Sequence, residues 1–343
     1  MQTTESDHHI TPDAPVHVTY LFRKSEGFFS IERIFKQLEP EFSKKIEVGK
    51  WTAPYARFSF RAVLGNILAA RKCKGDIFHV TGHLHYLVLG LPQQKTVLTI
   101  HDCVFLYRWK GWKRLVLKWF FLDLPVRYSR IITTISEATR MDIIRHTHCN
   151  PDKIIVVPNP LDSSIYFTEK KFCKEKPVML FIGSTPHKNL ARLIVALENI
   201  SCHLEIVGRL LPGAKELLEK YKISYSICRN ISDEEMAHKY AGCDMVVFPT
   251  TFEGFGLPII EGQKAGRPVL TSNLMPMKDV AGGAACLVDP YDIKSIRAGI
   301  LKLIADEAYR NKLVEDGFKN IERYAASQVA ECYMTCYKKI LSI

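Results

Sequence analysis

Short apolar runs recur along the chain with helix-like stretches between them, and this alternation constrains the fold more than any other feature. Strands that are apolar along their whole length are typical of a parallel sheet covered on both faces. Helix-like stretches such as Ser30–Leu38 and Glu137–His146 lie between the runs. The alternation predicts the βαβ units of an α/β protein. The runs are Val16–Phe22, Ile77–Val80, Thr96–Ile100, Ile131–Ile135, Ile154–Val157, Val178–Ile182, Leu204–Val207, Ser224–Ile227, Met245–Phe248, Pro268–Thr271 and Ala285–Val288.

The 343 residues are too many for one ordinary hydrophobic core and suit two domains of about 150 residues each. The polar segment Asn159–Lys176 separates two series of apolar runs. We therefore predict an N-terminal Rossmann-like domain over residues 1–160, a linker over 161–176 and a C-terminal Rossmann-like domain over 177–320. Residues 321–343 are expected to form a C-terminal helix that packs back toward the N-terminal domain.

The positive charge is unevenly distributed. The net charge is +11, and residues 1–160 carry 23 Lys and Arg against 14 Asp and Glu. A basic half of this kind favours an anionic partner, such as a membrane surface, a phosphorylated acceptor or a nucleic acid. No helix-turn-helix or RNA-binding signature accompanies the charge, so we expect no nucleic-acid partner.

The ten cysteines contain no CxxC pair, which argues against both a disulfide framework and a zinc site. Reduced thiols are expected. The first fifteen residues lack the apolar run of a signal peptide, and no stretch reaches the roughly 20 apolar residues that span a bilayer. We predict a cytoplasmic protein, peripheral on the inner face of the cell membrane.

The segment after the run Met245–Phe248 has the features of an anion site. Gly254 and Gly256 lie in a loop that leads into Leu257-Pro258, and proline suits the first turn of a helix. Glycines allow close approach of the backbone to a ligand, and the free amides of a helix start favour an anion. Glu253 and Glu261 flank this loop and could accept sugar hydroxyls, although surface carboxylates can have the same spacing.

The string FEGFGLPIIEG resembles the donor-site signature of glycosyltransferase family 4, whose members are retaining enzymes with the GT-B fold. The resemblance covers most of the chain. It extends to SDEEMAHKYAGCDMVVFPT before the site, GGAACLVDPYD after it, the phosphate turn FIGSTPHKNL, the end of the first domain TISEATRMDIIRHTHCNPDKIIVVPNPLD and the acceptor-side element TIHDC. It implies two Rossmann-like domains that face each other across a cleft, with the acceptor on the N-terminal domain and the nucleotide sugar on the C-terminal one.

The resemblance implies a role for each matching residue. Glu261 would hold the nucleotide ribose, Glu253 would contact the transferred sugar, and Lys188 would neutralise the leaving diphosphate. His101 would lie beneath the sugar ring, with Asp102 steadying its loop. The implied catalytic residues are His101, Glu253 and Lys188, the donor-binding residues are Gly183, Lys188, Arg209, Glu253, Gly254, Phe255, Gly256, Leu257 and Glu261, and the acceptor-side residues are His101 and Asp102.

Two positions depart from the family pattern. Many members carry an arginine just before the lysine of the phosphate turn or early in that turn, where this chain has His187 and Ser184. The leaving group would then have fewer cationic partners, unless Arg209 compensates. Lys188 could also be a surface lysine at a helix start, and His101 could be a histidine with a purely structural role.

The stretch Arg108–Arg130 holds seven basic residues and one acidic residue. Lys110, Arg114 and Lys118 recur at every fourth position, which places them on one face of a helix, and the tryptophans Trp112 and Trp119 lie among apolar neighbours. This pattern fits an interfacial helix that binds anionic lipid. An ordinary amphipathic helix packed on the first domain, with its lysines in solvent, is the alternative.

We therefore predict a retaining, metal-independent hexosyltransferase without a cofactor. It would use a GDP- or UDP-linked sugar and a hydroxyl of a glycan acceptor, polyprenyl- or lipid-linked, in the synthesis of surface polysaccharide or lipopolysaccharide. The alternatives are a non-catalytic nucleotide-sugar-binding partner subunit and a basic nucleic-acid-binding protein. A nicotinamide dehydrogenase is excluded because no G-x-G-x-x-G follows an early strand.

Overall fold

The computed structural model describes residues 15–24, 30–42 and 46–342. The described chain forms two compact units. Unit 1 contains the residues up to Thr134, then Asp142–Val157, and the residues from Ala330 onward; unit 2 contains Ile135–Met141 and Pro158–Val329. Among the described residues, no helix is both long and apolar enough to cross a bilayer.

Unit 1 is built on a six-stranded parallel sheet with the order β2-β1-β3-β4-β5-β6. The order reverses between β1 and β3, and ligands of such sheets bind outside the carboxyl ends of the strands at that reversal. Its elements are β1 Val16–Phe22, α1 Ser30–Leu38, β2 Ile46–Thr52, α2 Phe60–Ala70, β3 Ile77–Val80, β4 Thr96–Ile100, α3 Phe105–Arg108, α4 Gly111–Lys118, α5 Leu124–Tyr128, β5 Ile131–Thr134 and β6 Ile154–Val156, with α6 Glu137–Thr147 divided between the units.

Unit 2 is built on a second six-stranded parallel sheet, with the order β9-β8-β7-β10-β11-β12. Its reversal lies between β7 and β10. The elements are β7 Val178–Ile182, α7 Leu190–Ala196, β8 His203–Val207, α8 Ala214–Lys220, β9 Ser224–Cys228, α9 Asp233–Gly242, β10 Met245–Phe248, α10 Leu257–Lys264, β11 Val269–Ser272, α11 Met277–Ala281, β12 Cys286–Val288, α12 Ile293–Ala305 and α13 Glu307–Ile321. The predicted α/β class with two Rossmann-like domains is confirmed.

Strand β2 is the one strand that the apolar runs did not predict. It lies at the edge of the sheet and pairs with β1 alone. None of its residues is buried, and Glu47, Lys50 and Thr52 are exposed. An edge strand is covered on fewer sides than a central one, so β2 tolerates Glu47, Gly49 and Lys50 among its apolar residues. The other edge strands, β6, β9 and β12, coincide with predicted runs.

The final helix, α14 Ala326–Leu341, completes the core of unit 1. Tyr333 and Tyr337 are almost fully buried against Phe35, Phe42 and the imidazole of His79. The Nδ1 atom of His79 lies 2.8 Å from the hydroxyl of Tyr337, and its Nε2 atom lies 2.7 Å from Thr99 Oγ1. The helix is therefore fastened to the middle of the sheet by a buried polar network as well as by aromatic packing.

The segment from Pro158 to Val178 packs along unit 2 through polar contacts. The buried carboxylate of Asp244 accepts hydrogen bonds from the ammonium of Lys170 and from the backbone N–H groups of Cys173 and Val178. The buried guanidinium of Arg267 donates to the carbonyl oxygen of Thr168 over 2.9 Å. A segment of mixed polarity is thus ordered by buried charges that each have several partners.

Candidate functional site

The predicted donor residues of unit 2 gather at the reversal of its sheet. Lys188 lies in the loop after β7, and Glu253 lies in the loop after β10. Their side chains form an ion pair, with Lys188 Nζ 2.8 Å from Glu253 Oε1. The lysine and the glutamate side chains are only 19% and 13% exposed, and Lys188 Nζ also lies 4.6 Å from the centre of the Phe248 ring. The structure therefore brings together two residues that the sequence suggested for separate tasks.

A glycine permits this arrangement. Gly183 follows β7 with φ of 149°. A Cβ atom at this position would lie 2.4 Å from Cγ of Lys188, which is closer than real side chains come. The side chain of Lys188 thus passes directly over the backbone of residue 183, and only a glycine there leaves room for it.

Ser184 and His187, the two residues that depart from the family pattern, have structural roles in this turn. Ser184 accepts the backbone N–H of Arg209 through Oγ over 2.6 Å. The carbonyl oxygen of His187 accepts the backbone N–H of Thr251 over 2.7 Å. Both residues therefore join neighbouring loops of the site, and Arg209 is brought beside the phosphate turn by its backbone.

Helix α10 begins at the end of the second loop. Gly256 is its N-cap residue with φ of 107°, a left-handed conformation that glycine adopts without strain. Pro258 occupies the first turn, where a missing N–H costs nothing. The carbonyl oxygen of Gly254 accepts the hydroxyl of Ser136 over 2.8 Å, and Phe255 is buried. The amino end of an eight-residue helix is thus presented by a fixed loop, which favours an anion.

Glu261 lies one turn further into α10 and is 8% exposed. The hydroxyl of the fully buried Tyr240 donates to its Oε2 atom over 2.6 Å. Burial, and then the charge of Glu261, raise the pKa of Tyr240 well above its ordinary value. The phenol therefore stays protonated and holds the carboxylate in one orientation.

Three residues of this site were missed from the sequence. Thr250 Oγ1 lies 2.8 Å from Glu253 Oε1 and 2.9 Å from the carbonyl oxygen of His187. Asn189 has φ of 69° and donates through Nδ2 to the carbonyl oxygens of Pro249 and Pro290. Tyr240 completes the set. Asn189 had a usable signal, since asparagine is enriched in left-handed backbone at turns, whereas Thr250 and Tyr240 had none.

The predicted acceptor-side residues line a cavity of about 480 Å³ in unit 1. His101 follows β4, and its Nε2 atom lies 2.8 Å from the carbonyl oxygen of Thr81. Because a carbonyl oxygen only accepts, Nε2 carries the proton. Asp102 accepts the backbone N–H of Val104 over 2.9 Å, which fixes the loop. The cavity is lined by His83, His85, His101, Asp102, Val104, Phe105, Trp109, Leu117 and Phe121.

The histidines of this cavity are held neutral. Burial lowers the pKa of His101 below its ordinary value, against the opposing effects of the Thr81 carbonyl and of Asp102. Burial also lowers the pKa of His85, whose Nδ1 atom lies 2.8 Å from the carbonyl oxygen of Phe121. A neutral imidazole with a fixed tautomer can position a polar group but adds no charge to the cavity.

Helix α4 exposes the apolar side that an ordinary packed helix would bury, and its cations are not arranged as the fourfold spacing predicted. No side chain of this fully described helix is buried. Its apolar side chains other than Leu117 face solvent, with Trp112 70% and Leu115 67% exposed. Arg114 and Lys118 are instead half-buried, and Lys118 Nζ lies 2.8 Å from Asp123. Lys110 precedes the helix as its N-cap residue, so the three cations do not form one exposed helical face.

Within residues 15–24, 30–42 and 46–342, no three His, Cys, Asp or Glu side chains are grouped as metal ligands require.

Two family models match the chain. The model "Glycosyltransferase Family 4" matches residues 13–165, and the model "Glycosyl transferases group 1" matches residues 162–320. Together they extend over both units. The second match contains the loops that hold Lys188 and Glu253.

Similar proteins span most of the chain. It is 26% identical to the MMP alpha-(1->4)-mannosyltransferase of Mycolicibacterium hassiacum, over 94% of this chain and 84% of that protein. It is 25% identical to the O-antigen chain mannosyltransferase B of Escherichia coli, over 79% of this chain and 76% of that protein. The crystal structure of HepE from Anabaena in complex with UDP and glucose matches with a TM-score of 0.72 at 16% identity, covering 95% of this chain and all of that one.

Proposed function

The chain belongs to glycosyltransferase family 4 and has the GT-B fold, and from this premise we propose that it transfers a hexosyl group from a nucleotide sugar to a glycan. The donor is a GDP- or UDP-linked hexose, with mannose the first sugar to test because two relatives are named mannosyltransferases. The transfer retains the anomeric configuration and belongs to the synthesis of a surface polysaccharide or lipopolysaccharide.

The Lys188–Glu253 pair beside the amino end of α10 carries this proposal. A diphosphate placed between Lys188 and the amides of Phe255, Gly256 and Leu257 would meet a cation and a helix start together. Glu253, held by Thr250, would then accept hydroxyls of the sugar. Glu261, oriented by Tyr240, offers carboxylate oxygens of the kind that bind the vicinal hydroxyls of a ribose.

The reaction needs little covalent chemistry from the protein. The bond between the sugar and the diphosphate breaks, the acceptor oxygen forms the new bond, and the departing phosphate takes the proton of the acceptor. Fixed cations and amides that stabilise the developing negative charge supply most of the catalysis in such a step. Neutral His101 is assigned the task of orienting a sugar hydroxyl, and no metal ion is required.

The acceptor is proposed to be linked to a lipid, and the enzyme to act at the inner face of the cell membrane. The apolar side chains that α4 exposes support this, because large apolar patches on a soluble protein mark an interaction surface. The net positive charge of the first 160 residues adds attraction to anionic lipid.

A panel of UDP- and GDP-linked hexoses tests the part of the proposal that concerns the donor. One donor should raise the melting temperature in a concentration-dependent manner, and nucleoside diphosphate should then be released in the presence of EDTA. Lys188→Gln should lower the release rate roughly a hundredfold, while Lys278→Gln, an exposed lysine of α11, should not.

Two outcomes would count against this function. Binding of a nucleotide sugar without release of nucleoside diphosphate would favour the alternative, a non-catalytic binding subunit. A complete loss of activity in EDTA that Mg²⁺ or Mn²⁺ restores would contradict the metal-independent mechanism.

A further inference from the structure

Unit 1 has a second cavity, with a volume of about 550 Å³, at the carboxyl ends of β1 and β2. Lys24, Arg57 and Arg61 line it, together with Pro54, Tyr55, Ala56, Ser59 and Ala62. The described lining residues include no carboxylate, and none of the three cations forms a salt bridge among the residues that the structure describes. Three cations around one concave site, without neutralising acids among its described lining residues, favour an anionic ligand.

The segment that carries Arg57 is fixed before any ligand arrives. The fully buried Asn66 of α2 accepts the backbone N–H of Tyr55 over 3.0 Å and donates to its carbonyl oxygen over 3.1 Å. Ser59 caps α2 by accepting the N–H of Ala62 over 3.2 Å. Because the segment is held at both ends, a ligand that binds Arg57 and Arg61 loses less free energy to the ordering of the backbone than it would with a mobile loop.

Exposed apolar side chains lie next to the lining residues in the chain and continue along α2. Phe60, Leu64 and Leu68 are exposed at every fourth position of α2, and thus share one helical face. Phe58, 67% exposed, packs against Phe121 with ring centres 5.3 Å apart. Phe121 lines the cavity of His101, so Phe58, which lies between the lining residues Arg57 and Ser59 in the chain, connects the surroundings of the two cavities.

The sheet topology indicates how the two cavities are related. Lys24 lies at the reversal of the strand order between β1 and β3, where ligands of such sheets bind. Strands β1 and β2 are two and three positions from β4, which leads to His101, and neighbouring strands are about 4.8 Å apart. An anion in the cationic cavity would therefore lie roughly 10–14 Å from His101 along the edge of the sheet.

We propose that the cavity of Lys24, Arg57 and Arg61 binds the phosphate or diphosphate that joins the acceptor glycan to its lipid. The glycan then extends along the sheet edge toward His101, and the lipid leaves over Phe58 and the exposed face of α2. This inference rests on the proposed function, and it names the chemical class of the acceptor: a glycosyl phosphate or diphosphate ester of an apolar alcohol.

The test is a calorimetric titration of the full chain with farnesyl diphosphate, with UDP and GDP present to occupy the donor site. Wild-type protein should bind this probe, and more weakly at high salt, because the contacts are charge pairs in solvent. Arg57→Gln/Arg61→Gln should weaken binding at least tenfold. Arg71→Gln/Lys72→Gln, which removes the same charge from exposed positions just beyond the other end of α2, should leave binding unchanged.

Three results would overturn the inference. They are equal affinity of wild-type protein and the Arg57→Gln/Arg61→Gln variant, binding of farnesol as tight as that of its diphosphate, and binding of inorganic pyrophosphate as tight as that of the farnesyl ester. Titration of wild-type protein with UDP and GDP alone is a separate measurement. Its failure contradicts the proposed function, whereas failure of the farnesyl diphosphate titration alone contradicts only this acceptor class.

Discussion

At the scale of single residues, the donor site depends on side chains that hold other side chains. Tyr240 holds Glu261, and Thr250 lies between Glu253 and the backbone of His187. Such partners reduce the number of orientations that a carboxylate can adopt before the ligand binds, and a ligand then loses less freedom on binding.

We predict that Glu261→Ala weakens binding of the nucleotide by about 1.5–3 kcal/mol, the contribution of hydrogen bonds to a charged group. Tyr240→Phe should weaken it by a smaller amount, about 0.5–1.5 kcal/mol, because the carboxylate remains and only its orientation is lost. Calorimetry with UDP and GDP measures both. Glu216→Ala removes an exposed carboxylate of α8 and is the matched control; an unchanged affinity in Glu261→Ala would rule out the ribose role.

Some residues of the donor site could be predicted from the sequence and others could not. Lys188 lies in FIGSTPHKNL and Glu253 in FEGFGLP, and the glycine and proline of each string mark a turn that the sequence alone can identify. Tyr240 lies in the ordinary amphipathic helix α9, and its contact with Glu261 spans 21 positions of the chain. A contact made by tertiary packing alone has no local pattern that could predict it.

At the scale of elements, tertiary packing also decided what the sequence could not predict: the presence of strand β2 and the exposed side of helix α4. The other described strands coincide with apolar runs in the sequence, whereas β2 has Glu47, Gly49 and Lys50 among its apolar residues and could not be found in this way. Helix α4 has the amphipathic pattern of a packed helix, yet its apolar side faces outward. A pattern indicates that a helix has two faces, and the neighbours decide which of them is covered.

We predict that α4 binds to membranes through this apolar face, assisted by the cations beside it. Vesicles of phosphatidylcholine with phosphatidylglycerol should bind the protein at low salt, and vesicles of phosphatidylcholine alone should bind it weakly. Each basic residue near anionic lipid contributes about 1 kcal/mol, so Lys110→Glu/Arg114→Glu should reduce sedimentation with vesicles by an order of magnitude or more. Trp112→Ser/Leu115→Ser should reduce binding to both vesicle types.

The control for this experiment is Lys215→Glu/Lys222→Glu, which makes the same change in charge at exposed positions of unit 2. If that variant lost as much binding as the α4 variants, the attraction would come from overall charge and not from α4. Indifference of the wild-type protein to anionic vesicles at low salt would reject a membrane role for the helix.

At the scale of the whole molecule, the buried histidines make stability depend on pH. Burial, with a smaller effect of His101, lowers the pKa of His79 to about 3, against about 6.5 in an unfolded chain. The unfolded state therefore binds the proton more tightly, and stability is full above pH 6.5 and falls as the pH drops toward 3. The tyrosines around His79 stay protonated throughout, since burial raises their pKa values.

We predict that the free energy of unfolding falls by about 2 kcal/mol when the pH is lowered from 8 to 5, because His79 takes up a proton only in the unfolded state. Urea unfolding followed by tryptophan fluorescence measures this, because all four tryptophans lie in unit 1. His79→Gln should be less stable at pH 8 but should show a pH dependence smaller by about that amount. An identical pH dependence in both proteins would show that His79 does not titrate on unfolding.

The return of the chain to unit 1 at Ala330 has a consequence for synthesis on the ribosome. The aromatic side chains that close the core of unit 1 are translated after all of unit 2. At about 5–20 residues per second, roughly 10–35 s pass between the end of β6 and the arrival of α14. During that interval the first domain has emerged, but His79 and Tyr20 are without the tyrosines that cover them. Of the two units, the one translated first is therefore the last that can finish folding.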